Sequence, residues 1–259
     1  MSLDNMLWLA GIVTEAVVLG LLAYRRAWRL LPVFFVYCVW DLLANLVGLL
    51  SQVYFPSIYN AATYLGQTTL DSALQFGVLV ELAWSVLRPI RASLPRFTIV
   101  VVAALILGAG AAIWPFAALP GLAQNEPLVR LIGHMQQTVS ILRIGFFLVL
   151  AGCSQLLSIG WRDRELQVAT GMGFYSLVSL AAALLSTHQG SLIQYRHLNQ
   201  FVIGSFLCSL LYWVASFAQK EAQRREFTPQ MQDLLLAVAG VARAERAALA
   251  DASKKQQQQ

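Results

Sequence analysis

Charge is scarce in this sequence, and lysine scarcer still. Only 12% of the 259 residues are charged while 58% are hydrophobic, and the charged share is about half that of a typical soluble domain. The lysines are Lys220, Lys254 and Lys255, all near the C-terminus. A retinal-type Schiff base needs a lysine inside the last membrane span, so that chemistry is excluded. Cysteine is almost absent: Cys38, Cys153 and Cys208 fall in apolar runs with no CxxC and no loop pair, which reads as small buried hydrophobes rather than disulfides or metal ligands. Histidine is limited to His134, His188 and His197, too few within the apolar runs for an intramembrane zinc hydrolase. No Gly-x-Ser-x-Gly, HExxH or P-loop occurs, and Gly171-Met172-Gly173 lies inside an apolar run, where it packs rather than binds phosphate. Nothing therefore calls for a cofactor or an enzymatic mechanism. The first six residues also lack Lys and Arg, so the first apolar run is expected to stay as a helix rather than serve as a cleaved leader.

What the sequence has instead is length of apolar run. Mean hydropathy is +0.62, and runs near 20 residues recur, each matching the thickness of a bilayer core. They lie at about Leu7–Tyr24, Leu31–Tyr54, from Tyr64 to near Arg88, Phe97–Leu119, Leu128–Ile159, Leu166–Ser186 and Leu198–Ala218. The expected fold is all-α: a polytopic bundle of seven transmembrane helices over residues 1–225. The net charge of +5 could suggest a nucleic-acid partner in a soluble protein. Here the arginines sit in short loops after spans 1, 3, 5 and 7, so the charge is a topology signal and no nucleic acid is implied. That bias predicts the N-terminus outside and the C-terminus in the cytoplasm.

After span 7, Thr228-Pro229 reads as the cap and first position of a further helix. Met231, Leu235, Val238, Ala242 and Leu249 give it an apolar face, so residues 226–252 are expected to form a cytoplasmic amphipathic helix. Lys254-Lys255 and four glutamines, in the tail 253–259, are expected to be disordered.

The candidate functional residues are the polar side chains inside these runs. Gln67, Asp71 and Gln75 are four apart and stack on one helix face. A carboxyl near the bilayer centre costs on the order of 2.5–3.5 kcal/mol even on the mildest scale, so Asp71 needs partners. Glu15 in span 1 and the pair Asp41 and Asn45 in span 2 lie at similar depth. Span 5 contributes His134, Gln137 and Arg143. Three carboxyls thus face one permanent cation. Asp71 and Arg143 are the expected pair, with Gln75, Gln136 and Ser140 satisfying the remaining groups, and with Glu15 and Asp41 as rival partners. His134, about two turns outward of Arg143, could relay protons from the outer side. Polar glue between helices is the plainer reading of the same residues. Span 4 has nothing polar to hide and should be peripheral, its Ala104, Gly108 and Ala112 forming a small-residue ridge for close helix approach.

Tyr54 with Phe55, then Tyr59, Tyr64, Asp71, Glu81 and Leu87-Arg88-Pro89 form a pattern that resembles a group of bacterial seven-span membrane proteins of unassigned activity. The resemblance covers most of the membrane region and implies the bacterial inner membrane. The layout is also similar to the membrane part of bacterial sensor kinases, without the kinase domain. The expected function is a receptor, sensor or interaction module with a polar intramembrane core. The alternatives are a small proton-linked transporter and a structural subunit of a larger membrane complex. Expected partners are the lipid bilayer, a small ligand, and a second copy or membrane-complex partner.

Overall fold

The computed structural model describes residues 3–54, 61–87, 98–117, 127–152, 163–186 and 192–219. The expected amphipathic helix and tail (226–259), and most of the aromatic and basic loops between spans, lie outside the described residues. Among the described residues the chain is all-helical, with no strand. Seven α-helices follow one another: α1 (Leu3–Tyr24), α2 (Pro32–Tyr54), α3 (Ala61–Val86), α4 (Thr98–Ile113), α5 (Pro127–Gly152), α6 (Arg164–Ser186) and α7 (Leu192–Ala218). Each helix satisfies its own backbone, which a single segment in hydrocarbon must do. Local signals set several ends. Pro32 and Pro127 occupy first helical positions, where a missing N–H costs nothing. Pro115 follows the end of α4, and Trp114–Phe116 tightens into a single 3-10 turn. Asp163 stands before α6, its carbonyl taking the first helical bond from Gln167 at 3.1 Å.

Among the described residues five helices are long and apolar enough to cross a membrane: α1, α4 with its 3-10 extension, α5, α6 and α7. α3 carries Gln67, Asp71, Gln75 and Glu81.

α1, α2, α3, α5, α6 and α7 form a closed ring, each touching the next and α7 returning to α1, while α3 also reaches α6. α4 rests outside the ring against α3 and α5, and none of its residues is buried. The expectation of a peripheral span 4 holds. Its small-residue ridge does not pack on span 3, however: nothing lies within 4 Å of a Cβ placed on Gly108, and Ala104 and Ala112 are exposed.

Within the ring the apolar core occupies one half of the bundle's length. Val18 and Leu22 of α1, Phe34 of α2, Val78 and Leu82 of α3, Met172 of α6, and Trp213 and Phe217 of α7 are buried there together. Phe34 is the centre, edge-on to Trp213 at 5.1 Å and 6.2 Å from Phe217. Glycine permits the closest approaches. A Cβ on Gly171 would collide with the Trp213 indole, and one on Gly173 would sit 2.8 Å from Phe147 Cβ. Gly171-Met172-Gly173 is thus a packing feature, as its place in an apolar run implies. Ser209 Oγ donates across this seam to the Gly171 carbonyl at 2.9 Å. Free Cys38 is buried as expected, whereas free Cys208 is exposed, on the outward side of α7.

The same end of the bundle holds a polar clasp. Glu81 of α3 accepts the backbone N–H groups of Val33 and Phe34, at 2.7 and 2.8 Å, and so caps α2 from a neighbouring helix. Ser85 donates to Glu165 at 2.6 Å, tying α3 to α6. The C-terminus of α7 is covered by two guanidinium groups: Arg164 donates to the carbonyls of Ser216 (2.7 Å) and Gln219 (2.9 Å), and Arg25 to that of Ala218 (2.6 Å). Cations belong at a helix C-terminus on dipole grounds. These bonds gather the ends of α1, α3 and α7 with the starts of α2 and α6, the up-and-down arrangement that short loops require.

Candidate functional site

The other half of the ring encloses a cavity of about 350 Å3, and helical spacing explains what lines it. On α1, Trp8, Gly11 and Glu15 recur at three and four residues and share one face. On α2, Tyr37, Asp41 and Asn45 are each four apart, and α3 adds Asp71 and Gln75. Tyr175 of α6 and Ile203 and Phe206 of α7 complete the wall. Toward the clasp the space narrows to a pinch between Glu15, Val18, Tyr37, Cys38, Leu210 and Trp213, and the Phe34 cluster closes it beyond that point. The cavity is therefore blind on the clasp side.

Its polar groups are unevenly satisfied. Asn45 Nδ2 donates to Glu15 Oε1 at 2.9 Å, joining α2 to α1. Glu15 is only 4% exposed, and its second oxygen, Oε2, has no hydrogen-bond partner among the described residues. Gln75 Nε2 donates to Asp71 Oδ2 at 2.7 Å along α3. Arg143, 5% exposed, stands behind the wall rather than in it. Its guanidinium carbon lies 5.5 Å from the centroid of the Tyr175 ring, Nη2 donates to Ser140 Oγ at 3.2 Å, and Nε has no partner among the described residues. Tyr175 is steadied in turn by a hydrogen bond with Ser179.

The expected direct pair of Asp71 with Arg143 is not formed. Among the described residues no carboxylate makes an ion pair with Arg143; its contacts are Ser140 and the Tyr175 face. Arg143 lies instead over the ring of Tyr175, which itself lines the cavity. Arg143 still lies within electrostatic reach of both Asp71 and Asp41. The expected roles of Gln75 and Ser140 are met. Gln136 acts only through its backbone carbonyl, which accepts from Ser140 at 2.8 Å.

Of the nine sequence candidates, Glu15, Asp41, Asn45, Asp71 and Gln75 line the one cavity, with Arg143 behind it. Gln67 is half-buried one turn before Asp71 and outside the wall, and Gln137 is buried on α5, also outside it. His134 is placed elsewhere. Its ring packs on Trp114 at 5.4 Å, between α5 and α4, and its Nδ1 is buried without a partner among the described residues. Nine residues are about two and a half helical turns, so His134 and Arg143 point to opposite sides of α5. The aromatic contributors Trp8, Tyr37, Tyr175 and Phe206 escaped the sequence reading as site residues. Their only signal was helical register with a polar neighbour, which many aromatic residues in spans share.

No group of three or more His, Cys, Asp or Glu side chains among the described residues is arranged to hold a metal ion. No protein-family model, no curated protein and no solved structure matches the chain.

Proposed function

We propose that this chain is a seven-span protein of the bacterial inner membrane, N-terminus outside and C-terminus in the cytoplasm, that works as a receptor or sensor module for a small ligand. The observation that carries the reading is the blind cavity of about 350 Å3, walled by five helices of the ring and lined by three carboxyls. Its volume lies in the range of about 300–1,000 Å3 typical of small-molecule sites. A wall shared among α1, α2, α3, α6 and α7 lets one ligand bias the packing of most of the bundle. The clasp at the far end, where Arg25 and Arg164 hold the exit of α7, gives such a bias a route toward the residues that follow. The exposed Arg25, Arg26 and Arg29 stand at that end, which supports placing it on the cytoplasmic side.

The test is a thermal-shift screen of the purified chain in nanodiscs against small compounds of mixed charge. A receptor has a saturable stabiliser whose effect disappears when the cavity is filled by Ile203→Trp, and which does not cross liposomes containing the protein. A proton-linked transporter is the second reading, favoured by the surplus of carboxyls over the one nearby guanidinium. Flux of the stabiliser driven by a pH gradient would establish it in place of the first. A failure of every compound to stabilise the chain would overturn both.

A further inference from the structure

The turn between α1 and α2 carries three arginines in five residues, Arg25, Arg26 and Arg29, and all three are exposed. It begins where the apolar span Met6–Tyr24 stops, so in a bilayer it stands at the level of the lipid headgroups. Two exposed aromatic residues flank the cations. The Arg25 guanidinium carbon lies 6.0 Å from the centre of the Tyr24 ring, and that of Arg29 lies 5.3 Å from the Trp28 ring. Tyrosine and tryptophan favour that depth, because their rings are apolar at one end and polar at the other.

Arg26 is more specific than the charge count. Its φ of 54° and ψ of 24° lie in the left-handed region, and it is the one non-glycine residue with positive φ among the described residues. Glycine takes that conformation without strain and arginine does not. The turn thus keeps a guanidinium where backbone geometry alone favours its absence. The turn is otherwise well bonded: Arg26 N–H donates to the Ala23 carbonyl and Arg29 N–H to the Arg26 carbonyl, both at 3.1 Å. That second bond sets Arg26 and Arg29 one short turn apart.

Among the described residues no acidic side chain pairs with Arg26 or Arg29. The carboxylates at this end are engaged in the clasp, Glu81 with two backbone N–H groups and Glu165 with Ser85. Arg25 gives an N–H to the Ala218 carbonyl, and a guanidinium has five such donors, so it has others to offer. Adjacent guanidinium forks are matched best by an anion with several oxygens, and phosphate is the one that the headgroup layer supplies.

We propose that this turn binds the headgroup of an anionic phospholipid, its phosphate on Arg26 and Arg29 and its glycerol carbons against Trp28. The proposal does not depend on what the cavity holds. A zwitterionic lipid brings the same phosphate with its own cation beside it, so net charge separates the two.

The experiment uses the full chain in detergent, offered equal amounts of phosphatidylglycerol and phosphatidylcholine, with bound lipid counted by native mass spectrometry. Thermal midpoints are read in parallel in phosphatidylcholine nanodiscs. The native chain should favour phosphatidylglycerol at least fivefold, and Arg26→Gln and Arg29→Gln should each reduce that preference at least threefold. Arg130→Gln removes the same charge from an exposed position near the start of α5 and should leave the preference intact. Arg26→Gly separates the site from the fold, because it removes the guanidinium and relieves the backbone. Its lipid preference should fall while its midpoint holds or rises. No preference in the native chain overturns the proposal, as does an equal loss in Arg130→Gln, which would make the effect one of general charge. A preference kept by Arg26→Gly, or a lowered midpoint in that variant, would mean that Arg26 serves the turn and not a lipid. If inorganic phosphate displaces the phosphatidylglycerol, the site takes a free anion and the lipid assignment falls.

Discussion

Asn45 holds one oxygen of Glu15 at 2.9 Å and leaves the other, Oε2, buried and unpartnered. The bond joins the first two helices across the cavity wall, where no apolar driving force between helices is available from lipid. Replacing Asn45 by Leu would leave both Glu15 oxygens without a donor. The expected loss is about 1–3 kcal/mol of stability, the cost of orphaning a buried polar group. Unfolding of the purified protein in detergent measures it. Pairing Asn45→Leu with Glu15→Leu should restore most of the loss, because two apolar groups leave nothing unsatisfied.

Glu81 supports a second prediction. It is the cap of α2, supplied by α3 because the residues before Pro32 are Leu30 and Leu31, which have no side-chain acceptor. Glu81→Ala should cost about 1–3 kcal/mol, the range for losing a cap or a charged hydrogen-bond partner. Glu81→Gln keeps one acceptor and should cost visibly less. Equal losses in the two variants would mean that charge, not the two backbone bonds, is what matters.

Two glycines should respond in opposite directions. A methyl on Gly171 has no room beside Trp213, so Gly171→Ala should lose about 1–3 kcal/mol by overpacking. Gly108 faces open space, and Gly108→Ala should be neutral or gain up to about 1 kcal/mol of helix propensity. Gly108→Leu should be tolerated by the single chain. A drop in oligomeric state with that variant, read by light scattering, would place a second copy on the α4 face.

How much of this was legible beforehand follows from what each signal measures. Apolar run length located the helices well, because in a membrane hydropathy and helicity coincide. It missed the start of α7, which begins at Leu192 rather than near Leu198, since Gln194, Arg196 and His197 are helical without being apolar. Four-residue spacing correctly grouped Asp41 with Asn45 and Asp71 with Gln75. Membership of one span grouped His134 with Arg143, and there it misled: nine residues apart on a helix, the two point to opposite sides of α5. The donors to Glu15 and Glu81 come from other helices, so Glu81 on the start of α2 and Arg143 over the Tyr175 ring required the packing itself.

The last prediction concerns Asp71 and Arg143, which sense each other's charge without forming an ion pair. Breaking a direct buried bridge by removing one member typically costs about 3–5 kcal/mol. Here Asp71 keeps Gln75 and Arg143 keeps Ser140 and the Tyr175 face, so each loss should be smaller. Residues in one electrostatic network couple by about 0.5–3 kcal/mol. With a tyrosine ring beside the guanidinium, the coupling should fall near the lower end, on the order of 1 kcal/mol. The cycle of Asp71→Asn, Arg143→Gln and the double variant, measured by thermal unfolding in detergent, reads that number directly. Tyr175→Phe keeps the ring and should leave the coupling in place, whereas Tyr175→Ala opens the space between the two groups. If the ring is what separates them, Tyr175→Ala should raise the Asp71–Arg143 coupling toward that of a direct bridge. Coupling that is already that large in the native background would mean the two side chains meet, and the separation described above would be wrong.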